Sequence, residues 1–156
     1  MKILLAIDSS EFSSEALHMI VSQFQRQGTE ILVLHVVEPL SVYMSADLIP
    51  HLVTQVAEVE DDRRGEANDL VRRSAAELLK AGFKASEAVD EGLPKTTIIE
   101  RAHNWGADLI VMGSHGLTGL NRFLIGSVSE AVCRHAHCSV EVVRRKPKEK
   151  GGSTHG

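Results

Sequence analysis

Met112-Gly113-Ser114-His115-Gly116-Leu117-Thr118-Gly119-Leu120-Asn121-Arg122-Phe123-Leu124-Ile125-Gly126-Ser127-Val128 is a glycine-rich connection between two stretches of different character. Ahead of it, Ala107-Asp108-Leu109-Ile110-Val111-Met112 is dense in branched apolar residues, as in a strand buried on both faces. Behind it, Ser127-Val128-Ser129-Glu130 has the form of a capping box that opens a helix. The loop therefore joins a strand to a helix N-terminus. Glycines permit positive φ and close backbone approach, and a first helical turn offers unpaired N–H donors at the positive end of a dipole. Together these features predict an anion site, most simply a phosphate site.

Outward from this loop the order strand, loop, helix recurs. Ile3 to Ile7 is a compact apolar strand, Asp8-Ser9-Ser10-Glu11 carries capping residues, and Phe12, Ala16, Leu17, Ile20, Val21 and Phe24 fall at helical spacing up to Gly28. Glu30 to Val37 reads as a second strand ended by Glu38-Pro39, and Leu40 to Pro50 as a loop, a mobile flap, with no strong period of its own. From Pro50 to Ala81, Leu52, Val56, Val59, Leu70, Val71, Leu78 and Leu79 predict a long amphipathic helix. A kink or break is expected at Gly65 beside Glu60-Asp61-Asp62-Arg63-Arg64, and a C-cap at Gly82. Phe83 to Val89 alternates weakly, as an edge strand does. Gly92-Leu93-Pro94 opens a helix lined by Ile98, Ile99 and Ala102 and closed by Trp105-Gly106. A helix from Ser127 to His135 and a strand from Ser139 to Arg144 follow the loop, and Arg145 to Gly156 is a polar tail expected to be disordered.

Strands alternating with helices in this way predict an α/β fold, a doubly wound parallel sheet with helices on both faces, because parallel neighbours need right-handed crossover connections. Residues 1–144 are expected to form a single domain. In such sheets ligands sit beyond the carboxyl ends of the strands, where strand order reverses. With the first and fourth strands as central neighbours, in the order 3-2-1-4-5, Asp8 and the Gly113–Gly116 loop meet at that point.

Bulk properties narrow the classes of function. At 156 residues, 43% hydrophobic and 24% charged, the chain is long enough to enclose a substantial core. A formal charge of −4 gives no broad attraction to nucleic acid or to an anionic membrane. The apolar run Ile3 to Ile7 is too short for the h-region of a signal peptide, and no run approaches the roughly 18 to 20 residues of a transmembrane helix. A cytoplasmic location is expected. Cys133 and Cys138 then read as reduced, packed thiols.

Other phosphate and nucleophile motifs are missing. There is no Gly-x-x-x-x-Gly-Lys-Ser/Thr, no Gly-x-Gly-x-x-Gly after the first strand and no Gly-x-Ser-x-Gly elbow. What remains is a phosphate cradle with little visible catalytic equipment.

Gly113, two residues, Gly116, nine residues, Gly126-Ser127, preceded by an Ala-Ile-Asp-Ser start and a Leu-His-Val second strand, resembles the ATP-binding branch of the universal stress protein family. The resemblance spans residues 1 to 144. It implies a Rossmann-like homodimer that holds ATP, with Mg2+ as the usual divalent cation, and acts in stress adaptation rather than in a metabolic step. Carried over residue by residue, Asp8 would bind the ribose or the adenine edge, with Ala6 and Ile7 beside the base and the Val36 backbone facing adenine. Met112 and Gly113 would lie under the ribose and first phosphates. Gly116, Gly126, Ser127 and Val128 would cradle the phosphate chain through backbone N–H groups and the Ser127 hydroxyl, with His115 a backbone contributor of the same loop. Where many relatives have Cys-Pro-Val before the last strand, this chain has Cys138-Ser139-Val140.

Each residue also has a plainer reading. Asp8 can cap the first helix, Ser127 can cap its own, and the three glycines can serve tight turning alone, as Gly119 does. His115 has no identifiable partner for acid–base work and reads as solvated, and His135 and His137 beside Cys133 and Cys138 lie at a junction unsuited to converge on zinc. No catalytic or metal-ligating set is assigned. Three classes of function stay open: a nucleotide-dependent binding or regulatory module, a slow ATPase or a phosphotransferase that modifies a serine such as Ser114 or Ser127 with Arg122 supplying charge, and a nucleotide-free chaperone-like dimer. For the dimer, the last strand is expected at a sheet edge with Val140, Val142 and Val143 as an outward-facing template for a second copy.

Overall fold

The structure is a computed structural model that describes residues 1–40, 50–116 and 125–144, with the backbone alone for residues 50–54. The flap expected between Leu40 and Pro50, the turn at Gly119, Arg122 and the tail 145–156 therefore lie outside the described residues. The elements are β1 (Lys2–Ala6), α1 (Glu11–Gln23), β2 (Glu30–Val37), α2 (Pro50–Lys80), β3 (Lys84–Glu91), α3 (Pro94–Trp105), β4 (Leu109–Gly113), α4 (Ser127–His135) and β5 (Ser139–Val143).

The strands form one parallel sheet in the order β3-β2-β1-β4-β5, the order expected from the sequence. Ile3–Ala6 of β1, Ile31–Leu34 of β2 and Leu109–Met112 of β4 are apolar throughout because both faces of the sheet are covered there. Ile3, Leu5, Ile31, Val33 and Val111 pack on one face against Ala16, Leu17 and Ile20 of α1 and Val71, Ala75 and Leu78 of α2. Leu4, Ala6, Leu32, Leu34, Ile110 and Met112 pack on the other against Ile98 and Ala102 of α3 and Val132 of α4. Ile3, Leu4 and Leu5 are fully buried in sequence, which only a strand with two covered faces allows. Each such side chain contributes about 1.5–3 kcal/mol of burial.

The break expected at Gly65 does not occur: α2 runs unbroken for 31 residues. Its second half is fixed by Ala67, Val71, Ala75 and Leu78. The glycine penalty inside a helix, about 0.5–1 kcal/mol, is too small to interrupt an element held this way. Farther up, Arg63 donates to the Glu38 carbonyl and Glu60 accepts from the Leu40 N–H at 3.0 Å, so α2 clamps the chain leaving β2. Gly106, at φ 72°, takes the left-handed conformation that ends α3.

At the β5 edge the apolar side chains turn inward, not outward as expected. Val140 and Val142 pack against the α3/α4 cluster and Val143 against the α1/α2 cluster. What faces outward is backbone. Ser114 N–H donates to the Val143 carbonyl at 2.8 Å, and strand alternation then points the polar backbone groups of Val140 and Val142 away from β4.

Candidate functional site

β1 and β4 end at one level, with Ala6 beside Leu34 on one side and Met112 on the other. The chain then leaves β1 for a helix on one face and leaves β4 for a helix on the opposite face. Such a divergence opens a crevice, and a cavity of about 200 Å³ fills it. Its apolar lining is Ala6, Ile7, Leu34, Val36 and Met112 from the strand ends, Pro94 and Ile98 from α3, and Val128 from α4. Its polar lining includes Asp8, His115, Ser127 and the glycines 113, 116 and 126. All the residues that the resemblance assigns to a nucleotide thus border one space. Ser13, Leu34, His35, Pro94, Ile98 and Ser129 border it as well and were not anticipated.

On the β1 side, Asp8 is held by the start of α1. Its Oδ1 accepts from the Ser10 N–H at 3.0 Å, from the Ser10 hydroxyl, and from the Ser13 hydroxyl at 2.7 Å. The Asp8 N–H in turn donates to Ser13 Oγ at 2.8 Å. Asp8 is therefore not the N-cap, which is Ser10. It works as the acceptor of an Asx-type turn through one oxygen. Its other oxygen faces the β4 loop: a Cβ added at Gly116 would stand 2.8 Å from Asp8 Oδ2.

On the β4 side, space rather than positive φ explains the glycines, for none of Gly113, Gly116 and Gly126 has positive φ. A Cβ at Gly113 would stand 2.6 Å from Phe12 Cβ and 2.9 Å from the Phe12 carbonyl carbon. Gly113 thus lets α1 pack on β4. Gly126 approaches the Ser114 carbonyl, to which its N–H donates at 2.8 Å. That N–H is consequently not free for a phosphate, contrary to the expectation. Nor does the capping box form. The N-cap of α4 is Gly126, without a side-chain cap, and Glu130 pairs instead with Arg134 at 2.8 Å. Ser129 explains the shift: its buried hydroxyl donates to the Gly113 carbonyl at 3.0 Å and sews the first turn of α4 to the end of β4. The N–H groups of Ser127 and Val128 have no protein acceptor among the described residues, as befits an uncapped first turn beside the cavity.

His115 is not simply solvated. Its ring lies 5.2 Å from that of Phe12, its Nδ1 is 3.0 Å from Ser114 Oγ, and its Nε2 is buried without a partner among the described residues. His35, at the end of β2, places Nδ1 2.7 Å from the Ile7 carbonyl. A carbonyl only accepts, so this nitrogen carries the proton.

Between α3 and β3, Arg101 binds Asp90, with Nε donating to Oδ2 at 2.7 Å; this hydrogen bond raises the Arg101 pKa against the lowering effect of burial. Arg64 of α2 pairs with Glu91 of β3. Away from the cavity, Cys133 is exposed rather than packed, while burial, aided by the Asp108 carboxylate, pushes the Cys138 thiol pKa up. The rings of His103 and His137 meet at a tilt, with centroids 4.8 Å apart.

Comparison with known proteins agrees with this architecture. The sequence profile of the universal stress protein family matches residues 1–144. Universal stress protein MJ0531 of Methanocaldococcus jannaschii is 36% identical over 149 residues, which span 95% of this chain and 84% of that protein. The solved structure of MJ0577 from the same organism superposes with a TM-score of 0.80 at 31% identity, covering 94% of this chain and 96% of that one. An Arabidopsis thaliana family protein, solved with AMP bound, shares the fold with a TM-score of 0.65 at 19% identity, covering 98% of this chain and 97% of that one. No helix among the described residues is long and apolar enough to cross a membrane. With its fold, its strand order and the match along residues 1–144, the chain belongs to the universal stress protein family.

Proposed function

We propose that the cavity holds ATP, with Mg2+ carried on its phosphates, and that the protein is a cytoplasmic homodimer in stress adaptation whose occupancy alters what its surface presents. The observation that carries this reading is the pairing of an uncapped helix N-terminus with an opposed carboxylate across an apolar slot. Each part of a nucleotide finds its chemistry there. Ala6, Val36, Ile98 and Val128 supply apolar walls for a base. Asp8 keeps Oδ2 for ribose hydroxyls while Oδ1 is tied to Ser10 and Ser13. The N–H groups of Ser127 and Val128 aim a helix dipole at phosphates, with Gly116 alongside. The AMP carried by the Arabidopsis relative supports an adenine nucleotide as the occupant.

Mg2+ fits this site only together with the phosphates. No group of three or more His, Cys, Asp or Glu side chains converges among the described residues. Mg2+ is commonly bound through one or two carboxylates and the substrate's own phosphates, and Asp8 is the carboxylate in the cavity lining.

The test is titration calorimetry of the nucleotide-stripped protein with ATP and Mg2+, beside Ser127→Pro. Proline suits a first helical position, and Gly126 at φ −63° and ψ 153° already has the conformation a residue before proline prefers. The substitution therefore removes one N–H from the cradle and leaves α4 in place. About tenfold weaker ATP binding, near 1.4 kcal/mol, is expected. A wild type that takes up neither ATP nor AMP overturns the reading. For the homodimer, Val142→Pro deletes an outward N–H of β5 while the β4 ladder stays whole, and sedimentation should find a monomer in place of a dimer.

A further inference from the structure

We infer that His35 is a positioning residue that ends the β1–β2 ladder early and so presents the backbone of Val36 as a donor–acceptor pair to the base in the cavity. The inference rests on the nucleotide reading of that cavity and adds what sets its base preference.

The register supplies the argument. In a parallel ladder a residue facing its neighbour gives both its N–H and its C=O to that side. Ala6 stands beside Leu34, and the Ile7 N–H donates to the Leu34 carbonyl at 2.9 Å, so Leu34 faces β1. Two residues on, Val36 faces the same way. Gly92 N–H, donating to the Val37 carbonyl at 3.1 Å, confirms that the alternate residue faces β3. The next rung of the β1–β2 ladder would be Val36 N–H to the Ile7 carbonyl. Among the described residues that rung is not made. The Ile7 carbonyl accepts from His35 Nδ1 at 2.7 Å instead. Beyond it, the partner of the Val36 carbonyl would be the Ser9 N–H, and that bond too is not made among the described residues.

Two consequences follow for Val36, which lines the cavity. Its N–H and C=O lie side by side on the strand edge that β1 has vacated, and neither has a protein partner there among the described residues. A donor beside an acceptor matches the N1 acceptor and the N6 amino donor of adenine. Guanine presents the reverse, an N1–H donor and an O6 acceptor, and leaves the pair mismatched. His35 supplies the one hydrogen bond that keeps Ile7 satisfied without Val36. Its reach is short, because Nδ1 is two bonds from Cβ and Ile7 follows Ala6, the partner of Leu34, one step along the chain. The amide nitrogen of asparagine has the same reach.

The test compares wild type, His35→Asn and His35→Leu, reading amide hydrogen exchange at Val36 without nucleotide and then affinity for ATP and GTP. In the wild type the Val36 amide should exchange rapidly while Leu34 is protected. In His35→Leu the Ile7 carbonyl takes the Val36 N–H, so exchange at Val36 should slow at least about tenfold, and ATP should bind about tenfold more weakly with its advantage over GTP reduced. His35→Asn should keep the fast exchange and the preference for ATP. A merely structural role would weaken both variants and leave the Val36 amide unmoved. Protection of Val36 in the nucleotide-free wild type, or an unchanged Val36 amide in His35→Leu, overturns the inference. If ATP alters no amide of the wild type, the nucleotide reading falls, and the exchange at Val36 still decides whether His35 ends the ladder.

Discussion

The loop leaving β1 turns its polar groups on itself, whereas the loop leaving β4 delivers a helix whose first N–H groups have no protein acceptor among the described residues. In the first, one oxygen of Asp8 gathers Ser10 and Ser13, and Ser13 returns the bond to the Asp8 backbone. In the second, Gly126 and Ser129 close on the carbonyls of Ser114 and Gly113, and Ser127 and Val128 are left facing the cavity. Both loops stand at the same end of the sheet. The difference teaches that rigidity and ligand capacity are divided here: the acidic side is preorganised by its own hydroxyls, and the positive end of the α4 dipole is held open by bonds made one residue to either side of it.

The comparison breaks most severely where the two loops touch. Gly113 gives α1 its place on β4, and a valine there would drive its Cβ into the Phe12 backbone. Since backbone cannot rotate away, Gly113→Val should destabilise by about 3 kcal/mol, lowering Tm by roughly 6–12 °C in a calorimetric scan. A Tm within about 2 °C of wild type would mean that α1 moves freely against β4.

Smaller in effect is Asp8→Ala, which strips the acceptor from the Ser10 N–H and from two hydroxyls. About 1–3 kcal/mol should be lost in urea unfolding, while Asp8→Asn, keeping an oxygen at Oδ1, should recover most of it. Equal losses in the two variants would place the stabilisation in the charge of Asp8 rather than in the turn, and the self-contained character of this loop would be wrong.

How much of this could be read from the chain depends on distance along it. β2 at Glu30–Val37 and α4 at Ser127–His135 have the expected ends, and the strand order follows from the alternation of strands and helices. These are local periodicities and chirality. The break at Gly65 does not occur because the packing of Ala67, Val71, Ala75 and Leu78 outweighs one glycine. Pro94 and Ile98 were missed as cavity walls because an apolar residue on a helix face looks the same whether it meets a core or a ligand slot. His35 stood in the Leu-His-Val pattern, yet its bond to Ile7 depends on the register of two strands 28 residues apart. No single stretch of sequence displays that.

The start of α4 offers the finest test of the contrast. Ser127-Val128-Ser129-Glu130 satisfies the capping-box pattern, which would make Ser127 the N-cap and its hydroxyl worth about 1 kcal/mol. In the structure Ser127 is the first residue inside the helix, exposed, and Glu130 leans toward Arg134. The hydroxyl that stabilises this helix start belongs to Ser129, two residues on and buried. Ser127→Ala should therefore change stability by no more than about 0.5 kcal/mol, as a surface substitution does, while Ser129→Ala should cost about 1–3 kcal/mol by leaving the Gly113 carbonyl without its donor. Urea midpoints of the two variants decide the matter. The reverse order would restore the capping box, tie up the first N–H groups of α4, and remove the openness on which the phosphate side of the cavity depends.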